Sequence, residues 1–515
     1  MATQEKPRLD PATARQVIDP SSYAEWDGLL DTFDRLRTET PVAWVEPEDG
    51  GVHPPFWLVT RYDDVMRMSK DNATFLNNPH TVVFSLTEGI EFAKAFSGGS
   101  EHMVASLVTF DAPIHMKYRK LTQEWFMPKN LRTVEDEIRA IAHAAVDRLL
   151  AGGGEADFVK TVAAPYPLHV VMQILGVPEE DEPRMLMLTQ QMFGGSDEDL
   201  NQSGMKDLPP EAITQLVAGA VKDFEAYFAK LTAERRASPT ADVASTIANA
   251  VIDGEPLNDR DMMGYYIILA AAGHDTTSAS TAGAMLALAR DPEQWARVRA
   301  DRSLLPGIVE EAIRWTTPVQ HFMRTAAEDT EVGGQPIAKG DWLMMNYVAA
   351  NHDPAHFENP RRFDAARSPN RHLAFGAGAH QCLGLHLARL EMRILFETLL
   401  DRIETVELAG EPARSRSTFV GGLKTLPLRF TRPDSPRSCS ASRRDGPRHG
   451  PGVTQSRGKN LSVYARSRQL AQNGVGLCRN AVSLCEPGVG LHVQTVGLLT
   501  ADVSLRHAVK RRGCG

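Results

Sequence analysis

Cysteine is almost missing from this chain: of its 515 residues, the first 432 contain only Cys382. A lone thiol excludes a disulfide framework and any cysteine-rich metal cluster in that stretch, so no ferredoxin-like module is expected within it. Glycine fingerprints for flavin or nicotinamide binding are absent as well, so no reductase module is expected in the chain. Long apolar runs are also lacking. The nearest to a membrane span, Tyr265 to Leu288, is interrupted by His274, Asp275, Thr276 and Thr277 and reads as a buried helix. The amino terminus, Met1 to Arg8, is polar and lacks the apolar core of a signal peptide, so a cytoplasmic protein with no membrane or nucleic-acid partner is expected, as a monomer. No internal repeat is visible.

What is present divides unevenly. Composition is that of a globular protein, 42% hydrophobic and 23% charged. Residues 433–515 carry 13 Lys and Arg against 4 Asp and Glu, so a net charge of −9 conceals a body, residues 1–432, at −18. The same tail holds Cys439, Cys478, Cys485 and Cys514, at spacings that match no zinc pattern. Rich in Arg, Ser and Gly and without helical periodicity, 433–515 is expected to be disordered or an abnormal extension. A flexible arm is expected over 1–20 and one catalytic domain over 21–432. Apolar residues at helical spacing predict helices near 135–150, 160–176, 211–236, 259–290, 305–316 and 383–400. Strand-like pieces lie at Val42–Val45, Trp57–Thr60 and near 331–345. The fold class is therefore mainly α with small β-elements.

Around Cys382 the sequence runs Phe375-Gly376-Ala377-Gly378-Ala379-His380-Gln381-Cys382-Leu383-Gly384. Glycines let a loop wrap its amides around a sulfur. A following helix would direct its N-terminal dipole at the same point and favour a thiolate. A free cysteine is more often simply buried, but glycines and a histidine at this spacing favour a thiolate that meets a metal.

This run resembles the haem-ligating loop of cytochromes P-450, Phe-Gly-x-Gly-x-His-x-Cys-x-Gly, and departs from it nowhere. The resemblance covers about residues 20–432. It implies the cytochrome P-450 fold, a trigonal α-rich body with small β-sheets around a buried haem b, with Cys382 as proximal iron ligand and Phe375 and Gly376 lining the cofactor. Ala271-Ala272-Gly273-His274-Asp275-Thr276-Thr277 places a helix-weakening glycine and an acid–alcohol pair inside an apolar segment. By resemblance, Ala272 and Gly273 let the macrocycle lie close, and Asp275 and Thr276 deliver protons during oxygen activation. The bland alternative is that Thr276 bonds back to a helical carbonyl and Asp275 finds an ion pair.

Glu311-Ala312-Ile313-Arg314 resembles the family's Glu-x-x-Arg helix, and Phe357 to Asp364 its partner loop, with Arg362 as third member of that structural network. His115, Arg119, Arg324 and His380 fall at family positions that hold haem propionates, a task suited to the guanidinium fork. The implied activity is haem-thiolate monooxygenation of a small hydrophobic substrate with dioxygen, fed by a separate ferredoxin and ferredoxin reductase. Lys117, Lys120, Lys129 and Arg132 would form a basic docking patch on the acidic body.

Tyr166 to Met172, Ala272 to Thr277 and Phe419 to Gly422 resemble the α-terpineol-hydroxylating cytochromes P-450, which implies a compact terpenoid or alkyl-aromatic substrate. Cytochromes P-450 that oxidise steroid side chains share many of these motifs and are the alternative. Family position assigns Ile268, Leu269, Ala272, Thr276, Val319, Phe322, Phe419 and Val420 to the substrate pocket and segments 76–108 and 192–210 to a lid. A non-catalytic haem sensor would need Cys382 without the Asp275–Thr276 pair, and a peroxide-driven haem enzyme would need no ferredoxin.

Overall fold

Strands Val42–Val45 and Phe56–Val59 are buried at every position rather than at alternate ones, the mark of a sheet covered on both faces. They are described in a computed structural model that covers residues 5–49, 53–82, 94, 99, 102, 104–193 and 210–433. In this sheet the order is Val42–Val45, Phe56–Val59, Trp342–Asn346, His321–Ala326, Phe75–Leu76. Leu343 pairs in parallel with Trp57, and Met345 pairs antiparallel with Phe322. Period-two geometry then sorts the side chains. Trp57, Val59, Leu343 and Met345 enter one apolar cluster, while Phe56, Leu58, Met323 and Met344 enter another with Leu29, Leu30, Phe33 and Leu36 of the helix Trp26–Glu39.

The expected arm over 1–20 is corrected from residue 5 onward. Asp10 caps the helix Pro11–Ile18 by accepting from the Thr13 amide (3.0 Å), with Pro11 at the first helical position. Ala14 and Val17 of this helix are in the core. Pro7 and Leu9 exchange backbone hydrogen bonds with Trp44 (2.8 and 3.0 Å).

The helical body is built from Glu135–Ala151, Pro165–Leu175, Pro210–Ala237, Asp259–Ala272, Asp275–Arg290, Leu305–Thr316 and Leu385–Arg402. Their apolar faces meet in one large cluster. The single helix expected over 259–290 is two helices, interrupted at Gly273–His274. Two hydroxyls bond back across the interruption. Thr276 Oγ1 donates to the Ala272 carbonyl (3.0 Å) and Thr277 Oγ1 to the Gly273 carbonyl (3.2 Å), so side chains bond carbonyls that serve amides in an unbroken helix. Among the described residues, no helix is long and apolar enough to cross a membrane. The expected lid segments lie largely outside the described residues, as do residues 434–515.

Glu311 and Arg314, one turn apart on Leu305–Thr316, are both without exposed surface. Arg314 donates to Glu311 through Nε (2.8 Å) and Nη2 (2.7 Å) and to the Asn351 carbonyl (2.8 Å). The third member is Arg367, not Arg362. Arg367 Nε lies 3.0 Å from both Glu311 oxygens, whereas Arg362 contributes only its carbonyl and sends its side chain to solvent. The Asp364 amide and Asn370 Nδ2 complete the shell, each at 3.0 Å.

Breaking a buried pair strands its partner's charge. Arg314→Ala should therefore cost about 3–5 kcal/mol in urea unfolding, Arg367→Ala about 1.5–3 kcal/mol and Arg362→Ala about 0.5 kcal/mol or less. A larger loss at Arg362 than at Arg367 would reverse the assignment.

Two fully buried histidines set an acid limit. Burial pushes His321 down to about 4 against a hydrogen bond with the Thr418 carbonyl, and burial with the nearby Arg314 pushes His352 down to about 3. Above pH 6.5 both are neutral folded or unfolded. Below it the unfolded chain takes protons that the fold refuses, so stability should fall between pH 6.5 and 5 by about 1.4 kcal/mol per pH unit for each. In His352→Gln the slope should drop by one such increment, measured by urea unfolding across that range.

Candidate functional site

The Cys382 loop is held by backbone geometry that only glycine supplies cheaply. Gly376 and Gly378 have φ of +65° and +75°, and a Cβ on Gly378 would stand 2.6 Å from the Ser69 carbonyl oxygen of the helix Tyr62–Lys70. The Cys382 amide donates to the Phe375 carbonyl (2.8 Å), which turns the sulfur toward the start of Leu385–Arg402. Burial pushes the thiol up, while a hydrogen bond from the Gly384 amide and the charges of Arg119 and Arg389 act to lower it. No group of three or more His, Cys, Asp or Glu forms a metal site among the described residues. A metal bound by Cys382 must therefore bring its other ligands with it, as a haem iron does.

His115 and Arg119, on the helix Ile114–Gln123, converge with Arg324 of His321–Ala326 and with His380. The His115 and His380 rings lie 3.9 Å apart. Burial, then Arg119, lowers His115 to about 4; burial, then His115, Arg324 and Arg119, lowers His380 to about 3. Both are neutral at physiological pH. Among the described residues, neither Arg119 nor the buried Arg324 forms a salt bridge; Arg324 donates only to the Met323 carbonyl (2.7 Å). Two guanidiniums in no salt bridge, with only the Asp111 charge acting on Arg324 from a distance, stand beside neutral imidazoles and could hold a group bearing two carboxylates, the complement a haem carries.

At the helix break the two acidic groups differ. Asp275 is half exposed and bonded to the buried His274 Nδ1 (3.0 Å), whose Nε2 lies 3.2 Å from Thr189 Oγ1. The sequence reading missed the other acid, Glu391. It is buried on Leu385–Arg402 and bonded to Thr277 Oγ1 (3.2 Å), and its Oε2 is without a partner among the described residues. Burial raises it well above an ordinary carboxyl, so it is a neutral acid. The signal was there: Glu391 stands four residues after Leu387 and three before Ile394, where the stripe calls for an apolar residue.

Gly273 is corrected. A Cβ there would meet Val171 Cγ2 at 2.4 Å, so its small size serves packing on Pro165–Leu175, whereas the neighbouring Ala272 is the exposed residue.

With this geometry in hand, comparison with known proteins is decisive: the Cytochrome P450 family model matches residues 66–429. The chain belongs to the cytochrome P-450 family. It is 45% identical over 419 residues to Cytochrome P450-terp of Pseudomonas sp, covering 81% of this chain and 97% of that protein. Linalool 8-monooxygenase of Pseudomonas putida is 33% identical over 400 residues, covering 77% and 94%. A crystal structure of CYP108D1 from Novosphingobium aromaticivorans superposes with a TM-score of 0.77 at 65% identity, covering 83% of this chain and 100% of that one. The protein is thus a P-450 monooxygenase of a family that uses haem b.

In this P-450, segments 318–322 and 417–422 are stitched together. The Gln320 amide donates to the Phe419 carbonyl (2.8 Å), the Gly421 amide to the Pro318 carbonyl (2.9 Å), and Gln320 Nε2 to the Ser417 carbonyl (2.8 Å). Val319 and Val420 form a β-bridge, and the Phe322 and Phe419 rings meet edge to face at 5.4 Å. Gly422 packs on Ala279, where a Cβ would approach to 2.5 Å, so this wall abuts the helix Asp275–Arg290. None of Ile268, Leu269, Ala272, Thr276, Val319, Phe322, Phe419 and Val420 is fully buried.

A neutral Glu391 has a measurable signature. Its folded pKa lies above the unfolded 4.5, so its contribution is complete below pH 4.5 and is lost, at about 1.4 kcal/mol per pH unit, as pH rises toward the folded value. Glu391→Gln should therefore raise the thermal midpoint at pH 7 and lose that advantage near pH 4.5. An unchanged or lowered midpoint at pH 7 would mean that Glu391 is ionised.

Proposed function

We propose that this P-450 hydroxylates a compact terpenoid or similar hydrophobic molecule, using electrons from a separate ferredoxin. The observation that carries the substrate class is the apolar wall of Val319, Phe322, Phe419 and Val420, stitched by backbone hydrogen bonds and backed by a helix. Such a wall excludes water and offers dispersion contact with little polar discrimination. The similarity to Cytochrome P450-terp and to a linalool monooxygenase supports the same reading.

In this reading Cys382 is the proximal ligand, and Arg119, Arg324, His115 and His380 receive the propionates. Haem b, when bound, supplies the oxidising chemistry that hydroxylates the C–H bond. The protein's share is orientation, dryness and proton control. Asp275, exposed and oriented by His274, exchanges protons with solvent. Thr276 donates its own proton to the Ala272 carbonyl, which leaves its oxygen to act as an acceptor at the break.

Electron entry fits the face carrying Lys120, Lys129 and Arg132, which are exposed and in no salt bridge among the described residues; Lys117 is paired with Asp253. An acidic ferredoxin complements that charge. Two further parts of the reading are a cytoplasmic setting and a catalytic domain ending near residue 432.

A spin-state titration of the haem-loaded protein tests the substrate class. α-Terpineol, linalool and p-cymene should shift the absorption spectrum at lower concentration than steroids, and a steroid preference would replace the reading. With whichever substrate binds, Thr276→Ala should at least double the peroxide released per electron consumed; unchanged coupling would remove Thr276 from proton control.

A further inference from the structure

Two adjacent acids on Leu305–Thr316 divide the cysteine loop between them. Glu311 holds residues 364–370, as described above. Glu310, one residue earlier, ties His372 at the start of the loop to Arg389 on the helix that follows it. It accepts from Arg389 through Nε (2.6 Å) and Nη2 (2.8 Å), and it meets His372 Nε2 at 3.2 Å. Burial works to raise the Glu310 carboxyl, but hydrogen bonds from Arg389 and His372 override it and hold it at about 2. It is therefore an anion throughout the working range.

Arg389 has only this carboxylate partner among the described residues. Its guanidinium lies 4.8 Å from the centroid of the Phe375 ring, and the Phe375 carbonyl receives the Cys382 amide. Arg389 is thus held against the residue whose carbonyl anchors the Cys382 amide. Arg393, one turn further along the same helix, is tied to Glu135 and Glu397. The charge near the sulfur on this side thus depends on a single fork between Glu310 and Arg389, which are 26% and 35% exposed.

We propose that Glu310 is a positioning residue which, by fixing Arg389 against Phe375, sets the charge felt at Cys382 and through it the reduction potential of the haem. Adding an electron makes the centre more negative, so a nearby cation favours the reduced form and a nearby anion opposes it. The pair is close to neutral as a unit, and each member alone would pull the potential in its own direction. The inference rests on Cys382 being the iron ligand, as read under the proposed function.

Signed shifts separate this from a merely structural role. In haem-loaded protein, dye-linked reductive titration should give a higher potential for Glu310→Gln, which leaves Arg389 without its carboxylate, and a lower one for Arg389→Gln, which leaves Glu310 with His372 alone. The double variant should return toward wild type, and raising the salt concentration should shrink both single shifts, because the pair is partly exposed. Glu397→Gln, which alters an acid bonded to Arg393 and Arg139, should leave the potential unchanged.

Shifts of the same sign in the two single variants, or no shift in either, would overturn the proposal. The reduced carbon monoxide spectrum keeps the two readings apart. If wild type lacks the red-shifted thiolate band, the Cys382 assignment fails; if the band is present and the signed shifts are absent, only the Glu310 proposal fails.

Discussion

The Glu311 carboxylate, without exposed surface, receives Arg314, Arg367, Asn370 and the Asp364 amide. A buried anion with that many donors has one low-energy arrangement, because withdrawing any donor leaves charge unsolvated. The chain from 351 to 370 is bound to it at several points and so cannot drift. Residues 372–384, which follow directly, contain no regular element longer than one turn. Their placement beneath the cysteine is borrowed from this ion pair and from Gly378 pressed against Ser69. A loop with little structure of its own can position a thiolate because both of its flanks are fixed.

The same economy explains the charges on the cofactor side. The fold gives Arg314 and Arg367 one shared buried carboxylate, Glu311, yet leaves Arg119 and Arg324 in no salt bridge among the described residues. Inward cations of this kind oppose folding until an anion arrives. The neighbouring His115 and His380 stay neutral, so they add donors without adding charge. An anionic group bound there would stabilise the segments that hold it.

Much of this was legible in the sequence where one residue type has one physical use. Glycines at 376 and 378, a lone cysteine, and an acid and base one turn apart on an apolar face are such cases. The two sheet strands were legible for the same reason, since Val, Trp and Phe in runs of four suit a buried sheet. Arg367 was not, because choosing among three arginines within seven residues requires the path of an irregular loop. Gly273 was misread: a missing side chain says that something is close, and only the fold says that it is Val171. The helix Pro11–Ile18 was signalled by Asp10-Pro11, an N-cap followed by a proline at the first turn. Composition near a terminus obscured it.

The hydroxyl bonds at the helix break constrain what each group there can do. Thr276 donates its only hydroxyl proton to the Ala272 carbonyl, so in this arrangement its oxygen offers lone pairs alone. It can orient a donor but is not itself the proton source. Thr277 is engaged by both the Gly273 carbonyl and Glu391. Glu391, raised well above an ordinary carboxyl, is sealed from solvent, while Asp275 reaches solvent and bonds to His274. Proton supply through Asp275 therefore requires its side chain to leave His274, and the strength of that one hydrogen bond governs how often it can do so.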